Sequence, residues 1–183
     1  MATETVQDLL AGADDPAAWE LTPSGGRPEA LLMAVIRDPE TGARTLTRAR
    51  WGILGRNGAR TLFLRSEDAF ETAEWERAIR FRRLLLPTDS YVQRASFGHD
   101  RGRRFLVSLE DQAPMAVGGV WAEVAGARRF AVLTRRAEDP VLRIHRRMPV
   151  IVPPEDWPVW LGQHDLLREG LTILLQRPVA GLQ

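Results

Sequence analysis

The stretch from Phe130 to Trp157 constrains the fold more than any other part of the chain. It runs Phe-Ala-Val-Leu-Thr-Arg-Arg-Ala-Glu-Asp-Pro-Val-Leu-Arg-Ile-His-Arg-Arg-Met-Pro-Val-Ile-Val-Pro-Pro-Glu-Asp-Trp. An apolar run of strand length opens it, and a charged segment follows. One His then stands beside two Arg, a second apolar run comes next, and Pro-Pro-Glu-Asp starts a helix. Arg129 to Leu133 and Met148 to Val152 are therefore read as strands. Whatever this chain builds must hold His145 and its Arg neighbours at the end of a strand.

The remaining segments add more strands than helices. Ala30 to Ile36 is a continuous apolar run, Asp38-Pro-Glu-Thr-Gly42 has turn chemistry, and Thr45 to Ile53 returns with β-branched residues. Together they predict a hairpin. Thr61 to Leu64, Leu84 to Pro87, Phe105 to Leu109 and Met115 to Val124 are further strands, the second stopping at its proline. Gly118-Gly119 inside the last of these points to a bulge or a close backbone approach. Gly52, Gly55 and Gly58 are not a phosphate loop, because no Lys-Ser/Thr follows them.

Thr72 is suited to cap a helix from Ala73 to Arg83, with Glu74 and Glu76 in its first turn. The run Arg80-Phe-Arg-Arg83 reads as its solvated end, with contact to nucleic acid as the alternative. Thr5 to Ala11 is a short helix, Trp157, Trp160 and Leu161 lie on the helix opened by Pro153-Pro154, and His164 to Leu175 is an amphipathic last helix. No repeat or long linker divides the chain, so residues 1–183 are expected to form one α+β domain.

Composition narrows the chemistry. The 183 residues contain no Cys, which removes disulfides, Cys–metal sites and thiol catalysis from these residues. The three His are far apart, and neither metal nor cofactor is expected. All 25 cationic side chains are Arg, and the formal net charge is +1. Anion binding must therefore come from local clusters, not from a global field. No run of apolar residues is long enough to span a bilayer and no leader is visible at Met1, so a cytoplasmic chain is expected.

Ile144-His-Arg-Arg-Met-Pro-Val-Ile151 resembles the I-H-x-R-M-P-V-I signature of the SOS-response-associated peptidase (SRAP) family. Other segments are similar to family motifs in the same order. Trp19-Glu-Leu-Thr-Pro-Ser resembles Y-N-I-A-P-T, and Arg50-Trp-Gly-Ile53 resembles R-W-G-L. Leu64-Arg-Ser-Glu67 resembles the end of N-A-R-A-E, and Arg83-Leu-Leu-Leu-Pro-Thr-Asp-Ser-Tyr91 resembles R-C-L-V-P-A-D-G-F. Gly118-Gly-Val-Trp121 resembles A-G-L-W. The resemblance implies a curved, barrel-like mixed or antiparallel sheet flanked by helices. It also implies a role at abasic sites in single-stranded DNA, where an N-terminal Cys captures the ring-opened sugar as a thiazolidine.

Several positions depart from that pattern. Ala2 stands where the family's Cys is expected, and the domain looks shortened at both ends. Phe63 replaces the Asn before A-R-A-E, Gln93 replaces a catalytic Glu, and Arg94 replaces the Trp after it. Arg65, Glu67, Thr134, His145 and Arg147 are retained. The resemblance makes His145 a relict acid/base and turns Arg65, Thr134 and Arg147 toward DNA phosphates, with Trp51 available to stack a base. Phe63, Glu67 and Gln93 would line the same cleft.

The expected function is non-covalent binding of single-stranded or abasic DNA without the covalent chemistry. A protein-interaction module that keeps only the fold is the alternative, and a terminal amine forming a hydrolysable imine is a weaker third. Arg65 with Glu67, or Arg147 with either acid, also fits a structural ion pair within the sheet. The sequence does not settle the oligomeric state.

Overall fold

The hairpin expected between Ala30 and Ile53 forms as β1 (Leu31–Arg37) and β2 (Arg44–Trp51), antiparallel from Leu31↔Arg50 to Arg37↔Arg44. Asp38 closes the turn: its Oδ1 accepts from the amides of Glu40 and Thr41, both at 2.9 Å. Gly42 follows at φ +70°, a conformation that a side chain disfavours. The computed structural model describes residues 28–55, 58–110, 114–162 and 168–183. The Thr5–Ala11 helix, the Trp19 segment, Ala2 and His164 lie outside the described residues.

The chain continues through β3 (Ile53–Leu54), β4 (Arg60–Thr61) and β5 (Phe63–Arg65) to the helix α1 (Ala73–Phe81). Then come β6 (Arg83–Thr88), β7 (Ser90–Arg94), β8 (Arg104–Ser108), β9 (Met115–Val124) and β10 (Ala127–Arg136). The short strands β11 (Arg147–Pro149) and β12 (Ile151–Val152) precede α2 (Trp157–Trp160) and α3 (Arg168–Gln176).

Five of these strands close on themselves. The order β2-β1-β6-β9-β10 is antiparallel throughout, and β10 returns to β2 in parallel at Arg129↔Arg50 and Phe130↔Trp51. The result is a closed mixed barrel carrying extra strands and, among the described residues, three α-helices. Closure removes the sheet edges that would otherwise be open to pairing.

Alternation along each strand sends one set of side chains inward. Ala34, Ile36, Ala49, Leu84, Val117, Trp121, Phe130 and Val132 form one buried cluster. The opposite parity, including Val35, Leu85, Val120, Ala131 and Leu133, packs outward with Trp157, Trp160, Leu171 and Leu175 from the helices. Gly118 and Gly119 mark a close approach and not a bulge, since the pairing of β9 with β6 runs through both without interruption. A Cβ on Gly118 would sit 2.8 Å from the Trp160 ring, and one on Gly119 would sit 2.7 Å from the Ala131 carbonyl.

Three local expectations are corrected. The strand from Leu84 does not stop at Pro87; it runs to Thr88, with Pro87 opposite Ala116. β1 pairs with β6 only at Leu84 and Leu85, so beyond them one edge of β6 needs no amide donor and tolerates proline. Met148 to Val152 is not one strand. β9 and β10 part after Gly119↔Val132, and the chain enters between them, first along β10 and then along β9. Val150 bridges the switch: its amide donates to Leu133 O and its carbonyl accepts from Gly118 N, both at 2.8 Å.

The third correction concerns Arg83. Thr72 caps the helix as expected, its Oγ1 accepting from Trp75 N at 3.3 Å, but α1 ends at Phe81. Arg83 is then buried in β6, 4% exposed. Its guanidinium donates to the carbonyls of Ile79 and Arg80, and to those of Trp160 and Gly162. The last carbonyls of a helix lack intrahelical donors. Arg83 supplies them for α1 and ties α2 to the same point, so this cation is structural and not solvated.

Candidate functional site

β10 is the strand on which the sequence-predicted residues converge. Its first half lies between β9 and β2. β2 leaves after Phe130 and β9 after Val132, and β5 and β11 take their places. Thr134 has Arg65 opposite it in β5 and Pro149 opposite it in β11, and Arg136 faces Arg147. Residues some 80 positions apart thus meet at one end of the barrel.

Arg147 organises this end. Its Nη1 and Nη2 donate to Glu67 Oε1 and Oε2 at 2.6 and 2.8 Å, a forked pair. Nη2 also donates to the Thr134 carbonyl at 2.6 Å and to Thr134 Oγ1 at 3.1 Å. Nε is buried without an acceptor among the described residues. The hydrogen bond from Arg147 and its charge hold the Glu67 carboxyl down to about 2, against a burial effect of opposite sign. Glu67 is thus a carboxylate at neutral pH, and it neutralises Arg147.

Arg65 is held differently. Its side chain is 61% exposed, and its ion pair with Asp68 is long, 3.6 Å from Nε to Oδ2. Such a pair on the surface contributes little and yields readily to a better anion. Among the retained cationic residues, Arg147 is committed inward and Arg65 faces outward.

His145 ends a helical turn, its amide donating to Val141 O at 2.8 Å. Nδ1 lies 2.7 Å from Arg147 O and 3.0 Å from Arg147 N. The two contacts require opposite protonation of one nitrogen. Whichever tautomer forms, the Arg147 backbone holds the ring through Nδ1. Gln93 sits on β7, paired with Phe105 in a separate two-stranded sheet, and its amide donates to Arg94 O at 3.4 Å. No hydrogen bond among the described residues joins Gln93 to the Arg147 cluster.

Trp51 is anchored by Nε1–H donating to Leu62 O at 2.9 Å. Phe130 lies parallel to it at 6.5 Å, and Phe63 meets it edge to face at 5.3 Å and 88°. Much of the indole is therefore engaged by its own chain. Phe63 is 53% exposed, Leu64 beneath it is 6% exposed, and the alternation of β5 turns Phe63 and Arg65 to the same side.

Sequence reasoning missed Arg136 and Arg146, both exposed beside this cluster. The signal was the pair of doublets. In Arg135-Arg136 the first residue is buried, bonded to Glu138 Oε1 at 2.6 Å and to Gln176 O, and the second is exposed. In Arg146-Arg147 the first residue is exposed, and the second is half-buried and bonded to Glu67. Among the described residues no group of three or more His, Asp or Glu could hold a metal ion, and no helix is long and apolar enough to cross a membrane.

Comparison with known proteins bears on the family and the fold. The model of the family described as SOS response associated peptidase (SRAP) matches residues 10–182. No curated protein matches the chain. Among solved structures, a protein from Bacteroides thetaiotaomicron superposes with a TM-score of 0.74 at 14% identity, over 100% of this chain and 88% of that one. A phage-related protein from Bordetella bronchiseptica gives 0.71 at 22%, over 100% and 89%. A second protein from Bordetella bronchiseptica gives 0.67 at 23%, over 86% and 84%. These likenesses establish the fold. With the family match over nearly its whole length, the chain belongs to the SOS-response-associated peptidase family.

Proposed function

We propose that this chain binds single-stranded DNA non-covalently at the far end of β10. The observation that carries this reading is the convergence of Arg65, Thr134, His145 and Arg147 on one surface, with Arg65, Arg136 and Arg146 exposed around it. Membership in a family tied to the SOS response supports it. Arg65 is the phosphate contact, because its Asp68 partner is distant and displaceable. Arg147 holds β5, β10 and β11 together through Glu67 and Thr134, so its role is to shape the surface more than to meet the strand.

The covalent chemistry of the family is not part of this reading. The 183 residues contain no thiol to close a thiazolidine on an aldehyde. Gln93, which the resemblance sets in place of a proton-transferring Glu, has an amide that neither takes up nor releases a proton at neutral pH. His145 is held at Nδ1 by the Arg147 backbone, and no hydrogen bond among the described residues joins it to an acid or a base.

Fluorescence anisotropy with a short labelled oligothymidylate tests the proposal. The logarithm of the binding constant should fall linearly with the logarithm of salt concentration, by about 0.7 per phosphate contacted. Arg65→Ala should lower that slope by about one contact's worth. Absence of binding at low salt would overturn the reading, and an adduct with abasic DNA that survives a denaturing gel would overturn its non-covalent part.

A further inference from the structure

We infer that Phe63 is a base-stacking platform, and that the site consequently favours a strand carrying its bases over the same backbone without them. This inference rests on the DNA-binding reading above and names what that site selects. The family resemblance expects Asn at this position, a residue that hydrogen-bonds a sugar. Phe offers a sugar nothing polar and offers a base a flat ring.

Three features fit the ring to that use. First, the alternation of β5 turns Leu64 to the buried side with Leu133 and Phe63 to the side of Val132, and there the Phe63 ring stands open to solvent, 53% exposed. Second, the ring is braced. Trp51 meets it edge to face at 5.3 Å, and Trp51 is itself fixed by its bond to Leu62 O and by Phe130 behind it. A platform held in place before binding loses little conformational entropy on contact. Third, Arg65 follows two residues later on the same side, about 7 Å along the strand. An aromatic face next to an outward cation is the pairing that single-stranded nucleic acids engage, the base on the ring and its phosphate on the guanidinium.

Charge complementarity favours this occupant over an apolar segment of a protein. Trp51 and Val132 flank Phe63 on one side, but charged and polar groups surround the rest: Arg65, Glu67 and Asp68 follow it, Thr134 lies on β10 and Arg147 on β11 beyond it. The two carboxylates would oppose an incoming phosphate if they were unpaired. Glu67 is neutralised by the forked bond from Arg147, so of the two only Asp68, once Arg65 turns to a phosphate, is left unpaired.

The test compares a short oligothymidylate with the identical backbone built from stable abasic spacers, at one salt concentration. Both carry the same phosphates, so only the bases differ. The spacer strand should bind about fivefold to a hundredfold more weakly. Phe63→Ala should erase that difference while leaving the salt slope unchanged, and Phe63→Trp should preserve it. Denaturant midpoints of both variants establish that they fold. Equal or tighter binding of the spacer strand would overturn the inference without touching the DNA-binding reading. A ratio that Phe63→Ala does not alter would overturn it also, and would leave the exposed ring to an apolar protein partner. Failure of both strands to bind at low salt would overturn the DNA-binding reading and this inference with it.

Discussion

Trp121 and Phe63 present two versions of the same chemistry within one barrel. Each is an aromatic ring accompanied by arginine. Trp121 on β9 is 3% exposed, with the guanidinium carbons of Arg82 and Arg128 at 5.4 and 5.7 Å from its ring. Arg128 is further fixed by donating to Thr47 Oγ1 at 2.8 Å. Phe63 on β5 is half exposed, and its neighbour Arg65 faces solvent. At Trp121 the attraction between cation and ring is satisfied inside the chain. At Phe63 the ring's outer surface and the cation beside it remain available to something from outside. Residue type alone therefore does not distinguish a structural pair from a binding pair; what distinguishes them is whether the barrel closes over the ring.

The largest expected effect tests that contrast directly. Trp121→Ala removes a buried side chain from the barrel interior and should lower unfolding free energy by about 3–5 kcal/mol. Phe63→Ala removes an exposed ring and one edge-to-face contact, and should cost about 1 kcal/mol or less. Urea denaturation midpoints measure both. Similar losses would mean that Phe63 is a core residue, and the contrast would fail.

A smaller effect comes from the forked pair that holds the open end together. The Glu67 carboxyl is depressed to about 2, chiefly by the hydrogen bond from Arg147. A depressed carboxylate stabilises the fold above its unfolded value and ceases to do so as pH falls through its folded value. The contribution should thus be complete above about pH 4.5 and vanish between there and pH 2. The side chain is 32% exposed, so screening reduces its worth to about 1–2 kcal/mol. Glu67→Gln should lose that amount at pH 7. The difference between the two proteins in denaturant stability should shrink as pH drops across this window; a constant difference would contradict the assignment.

The smallest effect belongs to the closed end. Arg128→Gln should cost about 0.5–1 kcal/mol through the lost contact with the Trp121 ring. It should leave DNA affinity unchanged, because Arg128 lies on the first half of β10 and the proposed site on the second. A loss of affinity would extend the binding surface along the whole of β10.

Much of this molecule was legible in the sequence. The β1–β2 hairpin followed from an apolar run, an Asp-Pro-Glu-Thr-Gly turn and a β-branched return. Thr72 announced the start of α1, and β9 was read to its last residue. The resemblance set Thr134, His145 and Arg147 in one cleft, and of these Arg147 bonds the Thr134 carbonyl. Other features were hidden for a physical reason. Pro87 reads as a stop because proline lacks an amide donor, and only the early departure of β1 makes that lack harmless. Met148 to Val152 reads as one strand because its residues are uniformly apolar, and only the divergence of β9 from β10 divides it.

The arginines mark the boundary most clearly. The sequence alone determined that every cation here is a guanidinium, that the strands alternate in facing, and that the family motifs stand in order. The tertiary structure decided which guanidiniums turn inward. Arg83 meets carbonyls 77 and 79 positions away, and Arg147 meets a carboxylate 80 positions away. Adjacent arginines carry the same charge and the same donors, so their chemistry alone does not separate Arg146 from Arg147. Their fates differ because closing the barrel brings distant acceptors to one of them and leaves the other in water.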